Sequence, residues 1–581
     1  HGYYLMTGKA QAVMLHTNVG LANGAIGAIN AACEHIPMIL MSGRTPVTEA
    51  GRFGARTVPI GWGQEMRDQT ALVREAAKWD YELKFPEQIP ELLDRAHAIA
   101  TSTPKGPVYL SIPREVLCEE VPADGLDRAP SMAAVEPAPD PQAIATLAGW
   151  LAGAERPLIV AQRGAGDAES FAAFARWCDA WGIGVCSWWA THLAIATDHP
   201  CHVGADPGPW LAEADVVVIL DCLAPWMPDA HQPRADARIV NIGPDPLFSR
   251  FPVRNFRSDL SICGESARTL PALIAAMEDL PRDQHLVDTR RDRLAEQSLA
   301  RQRTLIETTA PAGERLTKPS VSRILGEALD ALGLESSVFS ELGTMLGPLP
   351  RRDHRSWFQE PHSGGLGWSF PAALGAQLAE PDRLCIATMG DGSYMFSNPV
   401  ACHQIAEALA LPVLVVILNN GEWGAVRHSV TGLYPDGAAS RANAMPLTGL
   451  SPSPEFCKVA EASNAWARRV SHPNELRPAL DAALAVVRND RRCALLNVEL
   501  VGGCAPPPAR AKTRRRAGFP LGPDRQPVLG HPPRKKLAPW KKFVPRRNRC
   551  SFSALSTSEQ VCLQTALRRH WKTRRPSPRP S

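Results

Sequence analysis

The chain has 581 residues, of which 45% are hydrophobic and 21% charged, and a net charge of +4. That length exceeds one core, so about three domains of roughly 120 to 190 residues are expected, and no apolar run reaches the roughly 18 residues of a membrane-spanning helix. The charge is unevenly placed: from Val501 onward 20 Lys and Arg face two acids, which leaves −14 on the preceding 500 residues and removes any whole-chain argument for a nucleic-acid surface on the body.

In chain order, Ala10–Leu15 reads as a buried strand that delivers His16 to a glycine-containing loop. Leu21–Cys33 follows as a helix rich in small residues, Ile36–Met41 as a second strand and Val108–Ile112 as another. Strands alternating with helices predict a parallel sheet covered on both faces. Residues 1–121 form this first domain, and proline-rich 122–141 is a linker. A central α/β domain occupies 142–300, with strands at Pro157–Ala161, Ala214–Leu220 and Ala237–Ile242. Gly164-Ala165-Gly166 after the first of these reads as a tight loop. It lacks the full glycine spacing and acidic partner of a dinucleotide site, but leaves FAD open as an additional cofactor. After a second linker, 301–318, a third domain spans 319–503.

The third domain carries the most informative pair. Gly390-Asp391-Gly392 ends the apolar run Leu384–Met389, and Asn419-Asn420 ends Leu411–Leu418, with twenty-six residues between the two groups. A carboxylate and an amide at the carboxyl ends of adjacent parallel strands can share one hard cation and anchor a diphosphate. The flanking glycines let backbone approach the phosphate. The alternative is a pair of unrelated tight turns.

This arrangement resembles the cofactor signature of the thiamine-diphosphate enzymes. The resemblance extends to His16–Gly24, to Gly106–Pro113, and to Ser363-Gly364-Gly365-Leu366-Gly367-Trp368 followed by Pro371–Ala376. It is nearest to the acetolactate synthase and benzoylformate decarboxylase group and covers about residues 1–500. It implies three consecutive parallel-sheet α/β domains, with the amino domain incomplete, binding thiamine diphosphate and Mg2+. The implied activity is that of a decarboxylase or carboligase acting on a small 2-oxoacid through an ylide and an enamine. A homodimer or homotetramer with shared cofactor sites is implied as well.

By the same resemblance Asp391, the Asn420 amide oxygen and the Glu422 carbonyl hold the metal. Gly392, Ser393, Gly365 and Asn23 contact the cofactor, with Ser393 either bonding a phosphate oxygen or capping its helix. Leu366, expected to be buried, wedges beneath the bent cofactor or simply packs. His16 is the candidate for proton transfer, since imidazole suits acid–base work near neutral pH; the alternative is a histidine without that role. Gln64 and Asp68 are weaker candidates to face the cofactor. The glutamate that activates thiamine diphosphate in the family is expected about eight residues before His1, a group of the kind whose loss costs about 10²- to 10⁴-fold. A non-catalytic, thiamine-diphosphate-binding homologue is therefore the second reading.

Fourteen scattered cysteines without metal-ligand spacing predict free thiols and a cytoplasmic setting. The basic segment 504–581, with Arg514-Arg515-Arg516 and Arg534-Lys535-Lys536, reads as a disordered tail by composition, in preference to a nucleic-acid-binding element.

Overall fold

The computed structural model of the protein describes residues 1–500, apart from 122–128, 311–312, 314, 443–444 and 446; the basic segment 504–581 lies outside the described residues. Three parallel sheets follow one another along the chain. The first contains β1 (Gln11–Leu15), β2 (Met38–Arg44), β3 (Asp80–Glu82) and β4 (Pro107–Pro113), ordered β1-β2-β4-β3. The second contains β5 (Pro157–Ala161), β6 (Gly184–Cys186), β7 (His202–Gly204), β8 (Val216–Leu220), β9 (Arg238–Gly243) and β10 (Leu260–Cys263), ordered β10-β9-β8-β5-β6-β7. The third contains β11 (Ser336–Glu341), β12 (Trp357–Gln359), β13 (Leu384–Gly390), β14 (Leu414–Asn419), β15 (Trp466–Val470) and β16 (Ala494–Glu499), ordered β12-β11-β13-β14-β16-β15.

The central strands are continuous apolar runs because helices cover both faces. Every residue of β5, β8 and β14 is buried. The strand at β1 departs from the expectation of burial: its residues alternate, and Met14 is 76% exposed. It lies at the edge of the first sheet and pairs only with β2. Two helices matter for the site, α1 (Gly2–Thr7) and α2 (Thr17–Cys33). The first packs on the helix Ser369–Ala379 of the third domain, with Met6 inside the core around Phe339 and Phe370. The helix Gln284–Thr308 continues past residue 301, so the first part of the segment read as the second linker is helical.

A buried ion cluster ties the first domain to the second. Arg163, just after β5, donates from Nε to Glu34 Oε2 (3.1 Å), from one terminal nitrogen to the Cys33 carbonyl (3.0 Å) and from the other to the Asp221 carbonyl (3.2 Å). All three side chains are largely withdrawn from water. Glu34, which had no assigned role in the sequence, is thus the carboxyl end of α2 fastened to the central domain. The central and third domains meet where Trp357 Nε1 donates to the Ala190 carbonyl (3.1 Å) and Arg351 N–H to Thr197 Oγ1 (2.9 Å). Among the described residues no helix is long and apolar enough to cross a membrane, and all eleven described cysteines are free.

Candidate cofactor site at the carboxyl edge of the third sheet

Strand order in the third sheet reverses at β11: the chain moves to β12 on one side and to β13 and β14 on the other. Such a switch point opens a crevice at the carboxyl ends of the strands. Register fills it with chemistry. Glu341 pairs with Met389, and Gly390 with Leu418, so Glu341, Asp391 and Asn419 arrive at one edge.

Asp391 is 2% exposed and accepts the Gly421 N–H at 3.1 Å. Burial pushes its carboxyl up to about 6, against the pull of backbone N–H groups including those of Gly392, Gly421 and Asn420. Among the described residues no lysine or arginine pairs with it, so a cation supplied from outside the chain suits this carboxyl. Asn419 and Asn420 divide the work. The first is buried and donates to Asn497 Oδ1 (3.1 Å), a structural bond. The second is half-buried, with Oδ1 accepting the Glu422 N–H at 3.2 Å. The Glu422 carbonyl accepts the Gly424 N–H (2.8 Å) and keeps a second lone pair. Gly392 is required where it stands, since a Cβ would lie 2.2 Å from the Trp423 ring.

No group of three or more His, Cys, Asp or Glu poised for a metal occurs among the described residues. The donor set fits a hard cation that takes one carboxylate, an amide oxygen and a carbonyl and completes its shell with phosphate oxygens and water, as Mg2+ does. The helix Asp391–Phe396 is short, so its dipole adds little at the crevice.

Glu341 is the residue that sequence reasoning missed. It is fully buried and accepts the backbone N–H groups of Gly367, Trp368 and Ser369 at 2.6, 2.6 and 2.7 Å. The Ser393 hydroxyl also bonds to it, and burial raises its carboxyl above the usual range. Ser393 is therefore turned toward Glu341 in this conformation. One carboxylate fixes both the Gly-Gly-Leu-Gly loop and the turn after Asp391. Its only sequence signal is an acid ending the short run Ser336–Ser340. Glu341→Gln offers one oxygen and an amide donor to three N–H groups. It is expected to cost about 1–3 kcal/mol in chemical denaturation and to speed amide exchange at Gly367–Ser369.

Leu366 is half-buried instead of buried. Its neighbours hold the backbone: the Gly365 carbonyl accepts Asn30 Nδ2 at 3.0 Å, and a Cβ on Gly365 would lie 2.3 Å from the Asn30 side chain. The loop of the third domain is thus pressed against α2 of the first.

The remaining candidates sit elsewhere. His16 precedes α2 and is exposed, and Asn23 is exposed with Nδ2 donating to the Val19 carbonyl at 2.8 Å. Gln64 is half-buried at the end of the turn Ile60–Gly63, and Asp68 is exposed and bonded to Arg74 at 2.9 Å. Within one chain, no hydrogen bond among the described residues joins His16, Asn23 or Gln64 to Asp391 or Asn420.

In the central domain, a Cβ on Gly166 would lie 2.7 Å from the backbone of Ala267. That glycine serves the packing of its turn against the helix Ser266–Glu278. The geometry supports the tight-loop reading and lends FAD no support.

Sheet order and site define a three-domain α/β protein with an uncompensated acidic crevice in its last domain. Residues 1–72, 144–273 and 343–498 match the N-terminal TPP binding domain, the central domain and the C-terminal TPP binding domain of thiamine pyrophosphate enzymes. The chain is 26% identical over 498 residues to a probable 2-ketoarginine decarboxylase of Pseudomonas aeruginosa, covering 83% of this chain and 82% of that protein. It is 26% identical over 509 residues to the benzoylformate decarboxylase of the same organism, covering 84% and 87%. Its fold matches the thiamine diphosphate-dependent 4-hydroxybenzoylformate decarboxylase of Rhodococcus jostii with a TM-score of 0.66 at 22% identity, covering 86% of this chain and 89% of that one. The chain belongs to the thiamine pyrophosphate enzyme superfamily.

Proposed function

We propose that the chain binds thiamine diphosphate through Mg2+ at Asp391, Asn420 and the Glu422 carbonyl, and decarboxylates a small 2-oxoacid or joins it to a second carbonyl compound. The observation that carries this reading is the buried Asp391 carboxyl, without a cationic side chain among the described residues, beside Asn420 at the switch point of the third sheet. Relatives named for 2-ketoarginine and benzoylformate decarboxylation support the reaction class. When bound, the cofactor supplies the electron sink for loss of CO2.

The protein's part is orientation and proton handling. Glu341 sets the loop that presents Gly365 and Leu366, and Leu366 would pack against the bound cofactor and help to orient it. Gly392 admits the diphosphate close to the backbone. His16 exchanges protons with the substrate-derived carbon. Among the described residues His16, Asn23 and Gln64 make no hydrogen bond to Asp391 or Asn420 within one chain, and we assign them to the crevice of a second subunit. The apolar side chains that α2 leaves exposed, Val19, Ile26 and Ile29, fit such an interface.

Incubation with a panel of 2-oxoacids is expected to release CO2 only when thiamine diphosphate and Mg2+ are both present. Saturable cofactor binding with no release from any panel member would refute the catalytic reading and leave the non-catalytic homologue.

A further inference from the structure

Between the central and third domains lies a cavity of about 700 Å3, and Asp391, Asn420 and Glu422 are not among its lining residues. Trp188, Trp189 and Trp210 line it from the central domain, and Leu342 and Met345 from the third. Leu342 forms a bridge to Met389, two residues before Asp391. Glu360 lines the cavity just before the Gly364–Gly367 loop. Leu342 and Glu360 thus link the cavity to the strand that ends at Asp391 and to the segment leading into the Gly364–Gly367 loop.

Its charged groups are engaged with one exception. Lys318 Nζ donates to the Leu342 carbonyl at 3.0 Å. Arg301 donates to the carbonyls of His202 and Thr197. Asp206, largely exposed at the rim, accepts the Gly208 N–H at 3.0 Å and faces His231 at 3.5 Å. Glu360 Oε2 is shielded from water and has no hydrogen-bond partner. Burial, aided by Glu341 and opposed by the backbone N–H groups of Glu360 and Leu342 and by Lys318, pushes this carboxyl up to about 7. A buried carboxyl oxygen without a donor is costly, and Trp188 and Trp189, which line the same cavity, offer ring faces that attract cations. The missing partner is a cationic donor brought by a ligand.

We propose that Glu360 is the specificity-determining residue of a substrate cavity that takes a 2-oxoacid whose side chain ends in a cationic donor, a guanidinium or an ammonium, held by Glu360 Oε2 among the tryptophans. Its catalytic meaning rests on the cofactor reading above, but occupancy of the cavity can be measured without turnover. The full chain is titrated with 5-guanidinopentanoate, 6-aminohexanoate and heptanoate, followed by tryptophan fluorescence and calorimetry. These acids lack the 2-oxo group and cannot react. Both cationic acids are expected to bind about 10- to 100-fold more tightly than heptanoate. Glu360→Gln is expected to abolish that preference while leaving heptanoate affinity unchanged, which also reports an intact cavity. A planar two-point contact predicts the guanidino acid tighter than the amino acid, and a single-point contact predicts the two equal. Equal binding of all three acids, or a preference that survives Glu360→Gln, would overturn the proposal. A preference that persists in a chain failing to bind thiamine diphosphate with Mg2+ would overturn the cofactor reading alone.

Discussion

Asp391→Ala is expected to weaken Mg2+-dependent binding of thiamine diphosphate by more than the ~10- to 100-fold typical of a residue that only supports a metal ligand. Glu341 at the same edge is taken up by three backbone N–H groups, so among the described residues Asp391 is the acid left to ligate, and Asn420 and the Glu422 carbonyl offer only neutral oxygens. The fold should survive. Asp391 is a buried acid with no opposing cation, so its removal relieves a desolvation cost. Thermal midpoints without cofactor are therefore expected to be equal or slightly higher in the variant, while calorimetric affinity collapses. Loss of both together would indicate that Asp391 serves the fold rather than the cofactor.

Arg163→Ala is expected to have the largest effect on stability, about 3–5 kcal/mol, because it leaves two acids buried without their cation. Although burial raises the Glu34 carboxyl, Arg163 with His362 and His192 holds it down to about 2. Burial instead pushes Asp221 up to about 6, with Arg163 opposing. The two acids have opposite pH signatures. The Glu34 contribution is full above its ordinary value of 4.5 and is lost as pH falls toward about 2. The Asp221 contribution is full below 3.8 and is lost as pH rises through about 6. Denaturation of the wild type across acid pH should show the Glu34 loss, and the Arg163→Ala chain should lack it. A variant as stable as the wild type would mean that the cluster is hydrated in solution.

How far the chain could be read depended on where the apolar residues fall. Strands β5, β8, β13 and β14 are visible because each is an apolar run buried on both faces. Strands β6, β7 and β12 have three residues each and carry no period. Strand β15 hides behind exposed Arg468 and Arg469, and β11 is half serine. In the site, Asp391 and Asn420 are legible because each ends an apolar run beside glycine or a second asparagine. Glu341 is not, since its meaning depends on three N–H groups that lie 26 to 28 residues further along. The same holds for Glu34 with Arg163, 129 residues apart. Glu360 becomes informative only when two domains enclose a cavity around it. Pairings across a long separation leave no local pattern.

The central claim is that a divalent cation, held by Asp391 and Asn420 at the switch point of the third sheet, fastens the diphosphate of thiamine diphosphate to this chain. Its most direct test is calorimetric titration of the full chain with thiamine diphosphate, in Mg2+ and again in excess chelator. Saturable binding in Mg2+ that disappears with the chelator is the predicted result. Binding of equal affinity under both conditions, or none in saturating Mg2+, would contradict it.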